Sequence, residues 1–192
     1  MSVIQKNISN LSFQTFSDLG ISSKAVFDAR FQNKKGEFLY RYSLIHKWSG
    51  APDKKLVFLM LNPSTADAFQ ADPTVAACMV WAQMWEFGEL EVVNIFAYRA
   101  TDPKIMKKAE DPIGPLNNAF IKEAAASASL IVAAWGAHGD HLGRGREVAT
   151  KLLREVKLTC FTTVKGGHPK HPLYIKRATK PKPFAYWDVW KA

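Results

Sequence analysis

Four short apolar runs punctuate the chain after its first quarter: residues 56–61 (LVFLML), 90–96 (LEVVNIF), 130–135 (LIVAAW) and 158–164 (LTCFTTV). The first is continuously apolar, as a strand buried on both faces is. The other three read as further strands. Helical patterns lie between them. Residues 74–87 form one candidate, with Asp72 as its cap and Pro73 in its first turn. Residues 112–127 contain another, rich in strong helix formers over 121–126. Residues 144–156 form an amphipathic third. Upstream, Ala25, Phe27, Ala29 and Phe31 alternate with other residues, as do Phe38, Tyr40 and Tyr42. The Asn33-Lys34-Lys35-Gly36 turn between the two sets predicts a β-hairpin over 24–46. Strands separated by helices pack as a parallel sheet covered on both faces. The expected fold is therefore α/β: a three-layer αβα sandwich with a four-stranded parallel core sheet, preceded by an N-terminal β-hairpin. One domain covers residues 1–192, with an irregular lead-in (1–22), the hairpin and a loop (23–55) and the α/β core (56–184).

Charge adds a partner to this picture. Lys and Arg total 26 against 17 Asp and Glu, a net charge of +9 on 192 residues. Such an excess points to a polyanion, and nucleic acid is the expected partner. The two cysteines, Cys78 and Cys160, lie far apart and read as buried thiols in a reducing compartment. No apolar run approaches the roughly 20 residues that span a bilayer, and no signal core opens the chain. A cytoplasmic monomer without membrane contact is expected.

Ligands of an open parallel sheet bind beyond the carboxyl ends of its strands. Asn62-Pro63-Ser64-Thr65-Ala66-Asp67 follows the first strand. Asn94 closes the second, with Tyr98-Arg99-Ala100-Thr101-Asp102-Pro103 beyond it. Gly136, His138 and Gly139 follow the third. Lys165-Gly166-Gly167-His168-Pro169-Lys170-His171-Pro172 follows the fourth. Polar, Gly and Pro residues thus converge at all four exits. No GxxxxGK[ST], GxGxxG or GxSxG occurs, so the phosphate-gripping, dinucleotide and α/β-hydrolase readings have no support. His168 and His171, three apart, and Asp67 and Asp72, in one loop, are metal-ligand candidates. A His-Pro-x-His-Pro segment is not helical, and no metal or redox cofactor is expected.

These exits resemble the uracil-DNA glycosylase superfamily. Asn62-Pro63 matches its motif after the first core strand, Asn94 the Asn that ends the second, and His168-Pro169 the motif after the fourth. Trp135-Gly136 resembles its apolar strand ending in Gly. Residues 25–184 also resemble an uncharacterised bacterial and phage family, through LNPSTAD, DPT, NIFAYRATDP, AAWGAHG and GHPKHPLY. Lys170-His171-Pro172 departs from the glycosylase pattern, which has Pro-Ser after the His. Ser64 stands where many relatives have Gly or Tyr.

The resemblance implies a glycosylase-like fold and hydrolysis of the N-glycosidic bond of a flipped uracil or modified pyrimidine, in DNA repair or phage defence. Asn62 then positions water, with Asp67 as the alternative base, and His168 donates to the departing base. Asn94 reads the Watson–Crick edge, beside Pro63, and Phe69 is a candidate stacking wall. Each has a plainer reading: Asn62 as a turn residue, Asn94 as a buried tie, His168 as a loop support, Phe69 as a loop aromatic. Arg99 either contacts a phosphate or pairs with Asp102. Leu173 and Tyr174 are wedge candidates, and Lys165, Lys170, His171, Lys176 and Arg177 are expected at the DNA backbone. The competing functions are a silent binding module of the same fold and a hydrolase of small nucleosides or nucleotides.

Overall fold

A computed structural model describes residues 2–18, 20–65 and 72–190. Chain order runs through the helix α1 (Val3–Lys6) and the strands β1 (Leu11–Asp18), β2 (Ile21–Asp28), β3 (Arg41–Trp48) and β4 (Lys55–Met60). It continues with α2 (Pro73–Met84), β5 (Glu89–Asn94), α3 (Pro103–Met106), α4 (Asn117–Ser127) and β6 (Leu130–Ala133). Last come α5 (Arg144–Glu147), β7 (Thr159–Cys160), β8 (Lys182–Pro183) and α6 (Tyr186–Val189). The strands form an eight-stranded mixed sheet in the order β1-β2-β3-β5-β4-β6-β7-β8.

The centre of this sheet is β4. It pairs in parallel with β5 from Lys55↔Glu89 to Met60↔Asn94, and with β6 from Leu56↔Leu130 to Leu59↔Ala133. Its side chains alternate between two cores, as a strand's period of two requires. Val57, Leu59 and Leu61 face α4 and the helix that opens with α5, through Ile121, Ala124, Val148 and Ala149. Leu56, Phe58 and Met60 face α2, through Ala77, Cys78 and Trp81. Both faces are thus covered, and full burial of each large side chain contributes roughly 1.5–3 kcal/mol. The start of α2 is fixed locally: Asp72 accepts from Thr74 N at 2.7 Å, and Pro73 opens the first turn.

The sheet is larger and more mixed than the apolar pattern implies. Residues 158–164 yield only the two-residue β7, which meets β6 at a single pair, Val132↔Thr159. Antiparallel strands extend the sheet on both sides, β3, β2 and β1 beyond β5 and β8 beyond β7. The expected lead-in is corrected. Residues 11–18 form β1, an edge strand paired with β2 along its whole length. Beyond the buried Leu11 its described side chains are mostly exposed, Phe13 among them, so hydrophobic pattern alone misses it. The expected hairpin is present as β2 and β3, and Asn33 Oδ1 caps its turn by accepting from Lys35 N and Glu37 N. The helix expected over 144–156 is α5 continued by a π turn, Val148–Leu152. Cys78 and Cys160 are both free and buried. Among the described residues no helix is long and apolar enough to cross a membrane.

Inside the antiparallel wing, His46 is buried with its Nδ1 2.8 Å from Ser23 Oγ. Burial, and then the charge of Arg41, push its pKa down to about 4 from 6.5. An unfolded chain takes up this proton below pH 6.5, whereas the folded one resists it to about pH 4. The stability His46 confers is therefore complete above that range and is lost as pH falls through it. Chemical denaturation at about pH 7 and about pH 4.5 measures the loss. The parent should lose about 2–3 kcal/mol more between these conditions than a folded His46→Gln variant. Equal losses in the two proteins would refute this assignment.

Candidate functional site

The exits of β4, β5 and β6 are tied side by side by backbone hydrogen bonds. Ile95 N donates to Met60 O, Phe96 N to Leu61 O, Ala100 N to Pro63 O and Ala134 N to Leu59 O, at 2.8–2.9 Å. The loop after β7 joins them through Gly136 N to Pro169 O, 2.7 Å. Between these exits, the start of α2 and the 168–174 segment lies a cavity of about 500 Å³. That volume is within the usual range for small-molecule sites. Asn62, Pro63 and Asn94 line it as the strand pattern anticipates, with Lys170, His171 and Tyr174 on the side of the basic segment.

Asn62 is oriented by two hydrogen bonds. Its Nδ2 donates to Ala100 O at 2.7 Å and to Pro63 O at 3.1 Å. Both amide donors are spent on the backbone, so Oδ1 is the atom Asn62 has left to offer. Asn94 closes β5 and is buried; its backbone oxygen accepts from Asn117 Nδ2 at 3.0 Å. Its own side-chain amide has no hydrogen-bond partner among the described protein residues, and it reaches the cavity wall with a donor and an acceptor. His171 Nδ1 accepts from Leu173 N at 3.4 Å, which leaves its proton on Nε2. Burial lowers its pKa, with Asp72 opposing, so the ring is a neutral donor at neutral pH. Arg99 does not reach outward as a phosphate ligand would: it donates to Phe38 O, Thr65 O and Ser64 O and holds the Asn62 loop in place. Asp102 caps α3 instead.

His168 is outside the cavity wall. Its ring is 4% exposed and lies behind Trp135, whose Nε1 donates to His168 Nδ1 at 3.3 Å. Its Nε2 faces Asp140 at 3.5 Å, and Trp190 stacks obliquely at 5.0 Å. Burial lowers its pKa, against the opposing pull of Asp140. Of the two histidines three residues apart, His171 lines the cavity and His168 does not. Trp135 itself is locked by glycines: a Cβ on Gly139 would fall 2.0 Å from Trp135 Cδ1, and one on Gly145 2.6 Å from Nε1.

The remaining candidates disperse. Asp67 and Phe69 lie outside the described residues. Lys165 and Lys176 are exposed and away from the cavity wall. Arg177 is a strut, donating to Ala77 O at 3.0 Å with its guanidinium 5.2 Å over the Trp81 ring. Leu173 and Tyr174 are exposed near the mouth. Among the described residues, no three His, Cys, Asp or Glu side chains gather into a metal-ligand set.

Two charged lining residues escape the strand-exit logic. Asp72 caps α2 and also borders the cavity. Arg41, the first residue of β3, is 6% exposed and lines it from the antiparallel side. Its signal in the sequence is a lone cation between Tyr40 and Tyr42, on what the alternation assigns to the solvent face.

The two histidines separate in a thermal or denaturant melt. His168→Ala removes the ring between Trp135 and Trp190 and strands the Trp135 N–H, which should cost about 2–4 kcal/mol. His171→Ala should cost less than about 1 kcal/mol. The reverse order would show that His171, not His168, is the structural ring.

No curated protein and no solved structure matches this chain. Residues 41–173, which carry every cavity-lining residue but Tyr174, match the family described as protein of unknown function (DUF1643), and the chain belongs to that family.

Proposed function

We propose that the cavity receives a single nucleobase flipped from DNA and that the protein hydrolyses its N-glycosidic bond. The observation that carries this reading is the convergence of Asn62, Asn94 and His171 on one cavity of about 500 Å³ beyond the carboxyl ends of β4 and β5. The Asn94 amide pairs with the Watson–Crick edge, using the donor and acceptor that no described protein group occupies. Asn62 Oδ1 accepts a hydrogen bond from a water and aims its oxygen at the sugar carbon. As that carbon–nitrogen bond breaks, positive charge grows on the sugar and negative charge on the base. His171 Nε2–H donates to the base oxygen where the negative charge gathers. Water then bonds to the sugar carbon, and its proton passes to Asp72, the carboxylate on the cavity wall. The base leaves as its anion and is reprotonated from solvent. An amide positions water without deprotonating it, so such an enzyme favours bases that leave easily.

DNA enters this reading through charge and shape. The net charge of +9 favours a polyanion. Tyr174, 78% exposed at the mouth, offers a flat face beside the vacated stack, and Leu173 an apolar wedge. The glycosylase-like version of the α/β fold belongs to the same proposal. It is supported by the parallel pairing of β4 with β5 and β6 and by the motif order at their exits.

Oligonucleotides bearing uracil, mismatches and modified pyrimidines, treated with the protein and then with alkali, report excision as strand breaks. On the base that is cut, His171→Ala and Asn62→Ala should each slow single-turnover excision by about 100–1000-fold. Asn94→Ala should blur discrimination between bases. Excision by all three variants at the parent rate would sink the mechanism. Tight DNA binding by a parent that cuts nothing would establish a binding module instead.

A further inference from the structure

Arg41 and Arg144 are both buried arginines, and the fold treats them differently. Arg144 is 1% exposed and fully engaged: it donates to Ile95 O at 2.9 Å, to Asn118 Oδ1, and to the Glu147 carboxylate at 2.9 Å. Arg41 is almost as deep, yet its guanidinium makes no hydrogen bond or ion pair with the described protein residues. Its main chain is fixed, with Arg41 N donating to Ala97 O at 3.1 Å, so the side chain is presented rather than loose. The charges that act on it are Arg99, which repels it, and Asp72, which attracts it without forming an ion pair. Burial pulls its pKa down to about 10, which leaves it protonated at neutral pH. A buried cation with five donors and no acceptor is expensive, and such groups are ordinarily paired.

The position of Arg41 says what pairs it. It lines the cavity beside Met60, Val92 and Asn94, in the buried wall, whereas Thr101, His138 and Tyr174 are exposed at the mouth. A phosphodiester of a DNA strand stays with the backbone outside that mouth. Only the part of a ligand that enters reaches the guanidinium. A neutral pyrimidine offers carbonyl dipoles, which leave the charge uncompensated; a carboxylate or phosphate accepts two parallel N–H bonds and cancels it. We infer that Arg41 sets the specificity of the cavity and selects a ligand that carries an oxyanion inward, either a carboxylate borne on a pyrimidine-like base or the phosphate of a small nucleotide. This rests on the cavity being a base site. It narrows the ligand from bases in general to a base that brings an oxyanion with it, and Asn94 then reads the ring beside the anion.

Isothermal titration tests it with four probes: uracil, uracil-5-carboxylate, uridine monophosphate and inorganic phosphate. The parent should bind one uracil-containing oxyanion at least ~10-fold more tightly than uracil, a step of one decade in Kd. The tighter of the two names the source, base-borne carboxylate or nucleotide phosphate. Arg41→Met should erase the preference while still binding uracil, and Arg41→Lys should keep part of it. Equal binding of uracil and both oxyanions by the parent overturns the inference and leaves the base site standing. A preference that persists in folded Arg41→Met also overturns it. Binding of inorganic phosphate as tightly as any uracil compound, or of no probe at all, removes the base site and the inference together.

Discussion

The parallel pairing of β4 on both sides is the constraint from which the site follows. A strand whose two neighbours run in its own direction has its carboxyl end on the same edge of the sheet as theirs. Its exit loop, the Asn62 loop, is thereby laid against those of β5 and β6, and the four inter-exit hydrogen bonds hold them there. The apolar alternation of β4 forces helices onto both faces. It leaves the carboxyl edge as the place where polar side chains meet without a core to bury them. Arg99 completes the arrangement by bonding three loop carbonyls, so the orientation of Asn62 is set by the scaffold.

Arg41 enters from outside that logic. It comes from the antiparallel wing, where β3 runs past β5 in the opposite direction, so that its first residue arrives at the edge where β5 ends. The wing thus closes the cavity and supplies the charge in its wall. The same charge acts through the protein on His46, whose pKa it helps to depress. A fold that surrounds Arg144 with acceptors and leaves Arg41 without them carries a polar cost in one place, which accords with a ligand site rather than a structural tie.

Much of this was legible in the sequence because it depends on local pattern. The central strands, α2 with its Asp72-Pro73 start, and the convergence of Asn62 and Asn94 follow from apolar runs and what succeeds them. The failures have a common cause in tertiary context. β1 is an exposed edge strand and needs β2 to exist. Local pattern does not say which of two histidines three residues apart lines the cavity; His168 packs against Trp135 and Trp190, and His171 lines the wall. Arg41 was not singled out, because alternation specifies two faces of a strand but not whether a distant loop covers one of them.

The central claim is that Arg41 is held for a ligand and not for the fold, and its effect on stability tests this directly. Breaking a structural buried ion pair costs about 3–5 kcal/mol, whereas replacing an uncompensated buried charge with an apolar side chain of similar length is neutral or stabilising. The measurement is the unfolding free energy of Arg41→Met against the parent, in ligand-free buffer near pH 7. The account predicts a variant as stable as the parent or more so. A loss of about 3 kcal/mol or more would show that Arg41 is a structural tie and would contradict it.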